Sequence, residues 1–353
     1  GPSATLSSPR LRSRRQNSVV HTQQQMAPQK PLVVVGSVNA DLVVDVPRMP
    51  KPGETLSATG GGEVVPGGKG ANQACAGGML GYQTIMIGQV GTDAHGPSLK
   101  GALDSAGVET DLVTAVDGPS GQAVIYLAPD GENSIVIIGG ANQAWGALSR
   151  AATEAIQSAG ALLLQREVPP SVNIAAARAA KAAGVPVIVD AGGAEGALEP
   201  ELLECTTILS PNETELARLV GKEAVAVGGD DDESLAEVLE AARSLQAKGA
   251  EQVLVKLGSR GSYLVPAAGG GEGEEEEPLP IRQSAIPAPE VVDTTAAGDS
   301  FTGAYAVALL EGKPPREALR FAAAAGSLCV RKRGAIPSLP SRAEVDQLLL
   351  SIA

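Results

Sequence analysis

Six short runs of branched apolar residues, separated by stretches long enough for helices, constrain this chain more than any other feature. The first is Leu32-Val33-Val34-Val35-Gly36, and similar runs recur at Thr84 to Val90, Ala161 to Leu164, Val185 to Val189, Thr207 to Leu209 and Val253 to Leu257. A strand that is apolar at every position, rather than every second one, must have both faces covered, as in a parallel sheet between two helix layers. The intervening Ala-rich segments, at about 70–80, 97–106, 145–159, 171–182, 213–219 and 234–248, have helical spacing. This alternation predicts an α/β fold with a mostly parallel central sheet. Aromatic residues are only 2% of the 353, against 43% hydrophobic overall, so Ala, Val, Leu and Ile have to build the core.

Two pieces break the alternation. Asp41 to Val46 and Gln122 to Ile138 read as antiparallel strands, the second bent around Asp130-Gly131, a strong hairpin signal. They predict a small β-sheet lid, with strands from about 41–66 and 119–138, projecting from a domain that spans 31–353. Its apolar face has to cover a ligand or meet a second subunit. Two acidic stretches, Gly228 to Glu233 and Gly269 to Glu277, are too polar to pack, and the second reads as a solvated loop. Residues 1–30 hold Arg10, Arg12, Arg14, Arg15 and Lys30 with no acidic residue and are rich in Ser and Gln. They predict a disordered tail that resembles a transit peptide or its remnant, with an unrelated tail as the alternative; plastid is favoured over mitochondrion, and a cytoplasmic location is the fallback.

The net charge of −13 argues against general affinity for nucleic acid or anionic membranes, and no apolar run reaches the roughly 18 residues of a membrane span. Cys75, Cys205 and Cys329 lack any C-x-x-C spacing, which suggests neither a disulfide framework nor a zinc site. His21 and His95 are the only histidines, which disfavours a multi-histidine metal site and a Ser-His-Asp triad. The first strand is not followed by G-x-G-x-x-G, which argues against a dinucleotide-dependent dehydrogenase.

Three segments carry chemistry. Asp293-Thr294-Thr295-Ala296-Ala297-Gly298-Asp299-Ser300-Phe301 is a small-residue turn that opens a helix with a carboxylate at the junction. Backbone N–H groups there can approach an anion, and Asp299 can take a proton from an attacking hydroxyl. An ordinary helix cap accounts for the same residues. Gly67-Gly68-Lys69-Gly70-Ala71-Asn72-Gln73 is a Gly-rich turn into a helix that does not match a Walker loop; Lys69 and Asn72 lie about one helical turn apart, on one face. Gly36-Ser37-Val38-Asn39-Ala40-Asp41 follows the first strand, at the carboxyl end where parallel sheets bind ligands, and offers an amide and a carboxylate suited to a polyhydroxylated molecule.

Together these segments resemble the ribokinase (PfkB) family of carbohydrate kinases over nearly all of residues 31–345. The motifs follow in family order: the three above, with Pro52-Gly53-Glu54-Thr55, Val90-Gly91-Thr92-Asp93, Gly140-Ala141-Asn142, Pro211-Asn212-Glu213-Thr214-Glu215 and Leu257-Gly258-Ser259-Arg260-Gly261 interleaved. The resemblance implies a three-layer ribokinase-like α/β fold with a lid, and ATP-dependent phosphorylation of D-ribose at O5, giving D-ribose 5-phosphate and ADP. Another sugar, a nucleoside, or a catalytically idle organellar scaffold are the alternatives.

It further implies that Asp299 is the general base, with backbone donors from Ala296, Ala297 and Gly298. Asn39, Asp41, Gly67, Gly68, Lys69, Asn72 and Glu167 would bind the sugar. Asn212, Lys256, Gly258, Ser259, Gly261, Gly298 and Ala323 would line the nucleotide site, although Ala323 stands where the family commonly carries a His beside the adenine. Asn212 and Glu215 would organise Mg2+ through water. Asp293, Thr295, Val330, Ala335 and Ser338 would hold an activating K+, and a homodimer would form through the lid.

Overall fold

The computed structural model describes Gly1 and residues 29–60, 62–129, 133–223, 232–267 and 278–352. The basic tail, the Asp130-Gly131 turn, most of the first acidic stretch and the Glu-rich loop 269–277 therefore fall outside the described residues. In chain order the strands are β1 Leu32–Val35, β2 Asn39–Asp45, β3 Glu63–Gly67, β4 Thr84–Gly91, β5 Val108–Val116, β6 Gly121–Leu127, β7 Asn133–Ile138, β8 Ala161–Leu164, β9 Val187–Asp190, β10 Ile208–Ser210, β11 Gln252–Lys256, β12 Ser262–Val265 and β13 Ile281–Gln283. The helices are α1 Lys69–Met79, α2 His95–Ser105, α3 Arg150–Ser158, α4 Pro170–Ala182, α5 Pro200–Leu203, α6 Glu213–Leu219, α7 Asp232–Gln246, α8 Ala297–Leu310, α9 Pro315–Cys329 and α10 Arg342–Ser351.

The main sheet runs β13-β12-β11-β10-β9-β8-β1-β4-β5, parallel from β5 to β11, with β12 and β13 joined by antiparallel pairing. All six apolar runs became strands of this sheet. On β1, Leu32 and Val34 pack with α1, α8 and α9, while Val33 and Val35 pack with α3, α4, α6 and α7, so each strand feeds two cores. The edge strand β5 has no continuous apolar run because residues such as Glu109 and Asp111 face solvent.

Small residues set how closely the first helix layer packs. A Cβ on Gly303 of α8 would lie 2.7 Å from the Ala76 Cβ and 3.0 Å from the Gln73 carbonyl oxygen of α1. Only a bare α-carbon allows that approach, and it brings the start of α1 up to the start of α8.

The lid is a separate sheet, β3-β2-β6-β7. Each half is an antiparallel pair, as its sequence suggests, but the halves join through parallel pairing of β2 with β6. Asp41 pairs with Val65 and Ala123, and its side chain shares one face of the lid with that row; the next row, Val64, Leu42, Val124 and Val136, lies on the other face. Val64, Val136 and Ile138 on that second face are about half exposed. Among the described residues no helix is long and apolar enough to cross a membrane.

Candidate active site

The site forms where the carboxyl ends of β1, β8, β9 and β11 meet the first turns of α1 and α8. Ala296 occupies the cap position of α8 with φ 58, the one positive φ on a described residue other than glycine, and no side chain caps the helix. Asp299 is therefore not the cap; it is the third residue of the helix and is 5% exposed. Of the expected backbone donors, the Ala297 N–H already donates to the Thr294 carbonyl at 3.3 Å. The N–H groups of Gly298 and Asp299 belong to the first turn, where no intrahelical acceptor exists, and the helix dipole adds positive potential there. An αL alanine costs on the order of 1 kcal/mol and is the sort of strain found where a turn must be aimed.

Two consecutive side chains of α1 hold the Asp299 carboxylate. Asn72 Nδ2 donates to Oδ2 at 2.9 Å and Gln73 Nε2 donates to Oδ1 at 3.0 Å, while Gln165 Nε2 donates to Gln73 Oε1 at 2.7 Å. The buried Oδ1 of Asn72 has no partner and is available to a hydroxyl. Gly68, with φ 89, and Gly70 make this possible, because a Cβ on Gly70 would lie 2.6 Å from the Ser37 backbone nitrogen. Lys69 is half-buried beside these groups, and the Asp299 carboxylate above all, against the opposing effect of desolvation, raises its pKa and keeps it charged.

Asn39 and Asp41 enter from β2. Asn39 Oδ1 accepts from Asn142 Nδ2 at 2.6 Å, and Asn142 is locked in turn by the Val38 N–H at 2.9 Å. Asp41 Oδ1 is buried without a partner, and a Cβ on Gly67 would lie 2.0 Å from its Oδ2. Glu167 accepts from Ser37 Oγ and, at 2.9 Å, from the Lys69 N–H. A cavity of about 260 Å³ opens beside Asn39, Asn142 and Glu167 under Ile137 of the lid; its lining does not include Asp299.

On the other side of Lys69, Asp190 at the end of β9 pairs with Lys256 at the end of β11, Nζ to Oδ2 2.6 Å. Asn212 and Glu215 form a capping box at α6: Asn212 Oδ1 accepts the Glu215 N–H at 2.8 Å and Glu215 Oε2 accepts the Asn212 N–H at 2.8 Å. Burial first, and then Asp190, raise the pKa of Glu215. The site thus gathers the carboxylates of Asp41, Glu167, Asp190, Glu215 and Asp299 around the ammonium groups of Lys69 and Lys256. Among the described residues no group of three or more His, Cys, Asp or Glu is arranged to hold a metal alone. A divalent ion here has to bring oxygen ligands with it, which suits Mg2+ arriving with phosphates and water.

A family model described as pfkB family carbohydrate kinase matches residues 29–342. The chain belongs to the PfkB family of carbohydrate kinases. It is 51% identical to ribokinase of Arabidopsis thaliana over 324 residues, covering 90% of this chain and 81% of that protein, and 38% identical to ribokinase of Haemophilus influenzae over 322 residues, covering 91% and 98%. A solved structure of Arabidopsis thaliana ribokinase complexed with ribose and ATP superposes with a TM-score of 0.81 at 51% identity, covering 91% of this chain and 98% of that one. The lid and the mostly parallel sheet are thus those of the ribokinase fold.

Elsewhere in this PfkB domain, the turn after β11 contains Gly258 (φ 54), Ser259 and Gly261 (φ 92), and Arg260 pairs with Glu213 at 2.6 Å. Ala323 is buried on α9, at 9% exposure. The five residues expected around a monovalent cation do converge. Asp293 accepts the Thr295 N–H at 2.9 Å and the Gly334 N–H at 2.8 Å; burial opposes ionisation of Asp293, but these bonds hold its pKa below the ordinary value. Ser338 Oγ donates to the Ala335 carbonyl at 2.7 Å and lies 3.0 Å from Cys329 Sγ, which reaches the Thr295 carbonyl at 3.6 Å. The set is one of hard oxygens, as an alkali cation requires; the Val330 carbonyl accepts from Val292 N–H at 2.8 Å and Asp293 N–H at 3.3 Å, and the Ala335 carbonyl also accepts from Ser338 N–H at 3.1 Å. Sequence reasoning assigned no role to Ser37, Gln73, Asn142, Gln165 or Asp190. Ser37, Gln73 and Asn142 lay inside motifs already singled out; Asp190 gave no signal beyond ending an apolar strand.

Proposed function

We propose that this chain transfers the γ-phosphoryl group of ATP to O5 of D-ribose, giving D-ribose 5-phosphate and ADP. The observation that carries this reading is the Asp299 carboxylate, fixed by Asn72 and Gln73 at the open N-terminus of α8, with the acceptors of Asn39, Asp41 and Glu167 on one side and Lys256 on the other. Ribose is chosen over other sugars because the chain is 51% identical to a ribokinase along most of both sequences.

In this reading Asn39, Asp41, Lys69, Glu167 and the spare oxygen of Asn72 grip the hydroxyls, with Gly67 and Gly68 giving them room, and point O5 at Asp299. As the bond from O5 to phosphorus forms, Asp299 accepts the hydroxyl proton and the bond to ADP breaks. The first-turn N–H groups of α8 meet the oxygens on which charge develops, a contribution worth on the order of 100-fold in rate per donor. The Gly258 to Gly261 turn carries the nucleotide, with Ala323 lining its far side. Mg2+, when bound with ATP, neutralises the phosphates; Asn212 and Glu215 would hold it through water. K+ activation through Asp293, Thr295, Val330, Ala335 and Ser338, a homodimer through the outer face of the lid, and a plastid address in residues 1–30 belong to the same proposal.

A coupled assay of ADP release tests it, with a panel of pentoses, hexoses and nucleosides, with K+ or Na+, on this protein and on Asp299→Asn. We expect turnover with ribose, stimulation by K+, and a loss of 10²- to 10⁴-fold in the variant, the usual size of a general base contribution. Absence of turnover with ribose, or a variant close to the parent, would overturn the assignment.

A further inference from the structure

Asp190 raises a difficulty at a site that must receive a triphosphate. It is 1% exposed and stands among the phosphate-side residues; burial opposes its ionisation most, but Lys256, Lys69 and the hydrogen bonds from Lys256 and Gly192 together hold its pKa below the ordinary value. A carboxylate there repels phosphate unless its charge is committed elsewhere, and removing an ion pair from water is itself costly.

The geometry commits it. Oδ1 accepts the Gly192 N–H at 2.9 Å, and Oδ2 accepts Lys256 Nζ at 2.6 Å and Thr302 Oγ at 3.2 Å. Lys256 Nζ also lies 3.3 Å from Thr302 Oγ, which closes a triangle between β9, β11 and α8. Thr302 is one helical turn beyond Gly298, and a Cβ on Gly298 would lie 3.9 Å from the ammonium, so the charge stands in contact range of the first turn of α8. The two members differ in access: the Lys256 side chain is 12% exposed and that of Asp190 is 2% exposed. The ammonium forms the wall and the carboxylate stands behind it.

We propose that Lys256 is the ammonium that meets the transferring phosphoryl group, and that Asp190 is its positioning residue, acting through Lys256 and Thr302. This rests on the phosphoryl-transfer reading of the site and adds a named cation and its holder. A charge fixed beside the first-turn N–H groups supports the oxygens on which negative charge grows, and it needs no rearrangement when ATP arrives.

Lys256→Met, Asp190→Asn and the double variant test this, with ATP varied at saturating ribose, then ribose varied at saturating ATP, and calorimetry of ATP and of adenosine, which has no phosphate. For Lys256→Met we expect kcat/KM for ATP to fall on the order of 100-fold, weaker binding of ATP but not of adenosine, and a KM for ribose within about twofold. Asp190→Asn should lose about tenfold alone and nothing further in the Lys256→Met background, because residues acting as one unit are not additive. The double variant removes both buried charges and serves if a single variant fails to fold. ATP kinetics in Lys256→Met within about threefold of the parent would overturn the proposal. So would equal losses towards ATP and ribose, or an Asp190→Asn effect undiminished without Lys256. If the parent turned over no sugar, the functional reading would fail, while the contrast between ATP and adenosine binding would still test Lys256.

Discussion

Burial first, and then the charge of Glu167, push the Asp41 carboxyl from an ordinary value of 3.8 up to about 7, and its Oδ1 faces no donor. In the sugar-free protein this raised value costs stability as the pH climbs from about 4 towards 7, because ionisation is easier in the unfolded chain. Sugar hydroxyls that donate to Asp41 favour the ionised form, so binding releases a proton below neutrality. Ribose affinity, measured by calorimetry, should rise between about pH 6 and pH 8 and then level off; Asp41→Asn should flatten the profile and weaken binding. Asp41 was legible as a polar ligand two residues from Asn39. Its unpartnered oxygen was not, since that depends on Gly67 and Glu167, which approach only in the folded chain. The same limit applies to Gln73: its motif was evident, but its bond to Asp299 spans 226 residues of sequence.

Helices α1 and α8 work as a unit, because the contact at Gly303 sets where Asn72 and Gln73 meet Asp299. Gly303→Ala should push the two helices apart, at a typical overpacking cost of about 1–3 kcal/mol, and should lower kcat as well as the denaturant midpoint. A useful contrast lies in α10, where Ser341 and Glu344 form a capping box away from the site. Ser341→Ala should cost about 1 kcal/mol in chemical denaturation while leaving kcat unchanged. Elements buried on both faces were plain in the sequence, as with β1 and β8. Strand β5 was missed because one of its faces meets solvent, whereas β12 and β13, short antiparallel additions at the sheet edge, were legible only as unbounded strands on either side of the Glu-rich loop.

At the scale of the whole molecule, the lid presents Val64, Val136 and Ile138 on the face turned away from Asp41. A second copy of the chain is the proposed cover, so light scattering at micromolar concentration should give a dimer and Val136→Glu should shift it towards monomer. The sequence announced two lid segments but not their parallel junction, since pairing between segments some 80 residues apart leaves no local trace. The balance of charge in the closed site has a further effect. Asp41, Glu167, Asp190, Glu215 and Asp299 outnumber Lys69 and Lys256, and a neutral sugar enters that field without penalty. After transfer the same sugar carries a phosphate dianion against Asp299, and once ADP and its metal depart, only Lys69, Lys256 and the first-turn N–H groups of α8 remain to offset it among the five acidic side chains. The pocket that admits the substrate therefore ejects what it becomes, and sugar 5-phosphate should inhibit only at concentrations well above the KM for the free sugar, a comparison that product-inhibition kinetics can make directly.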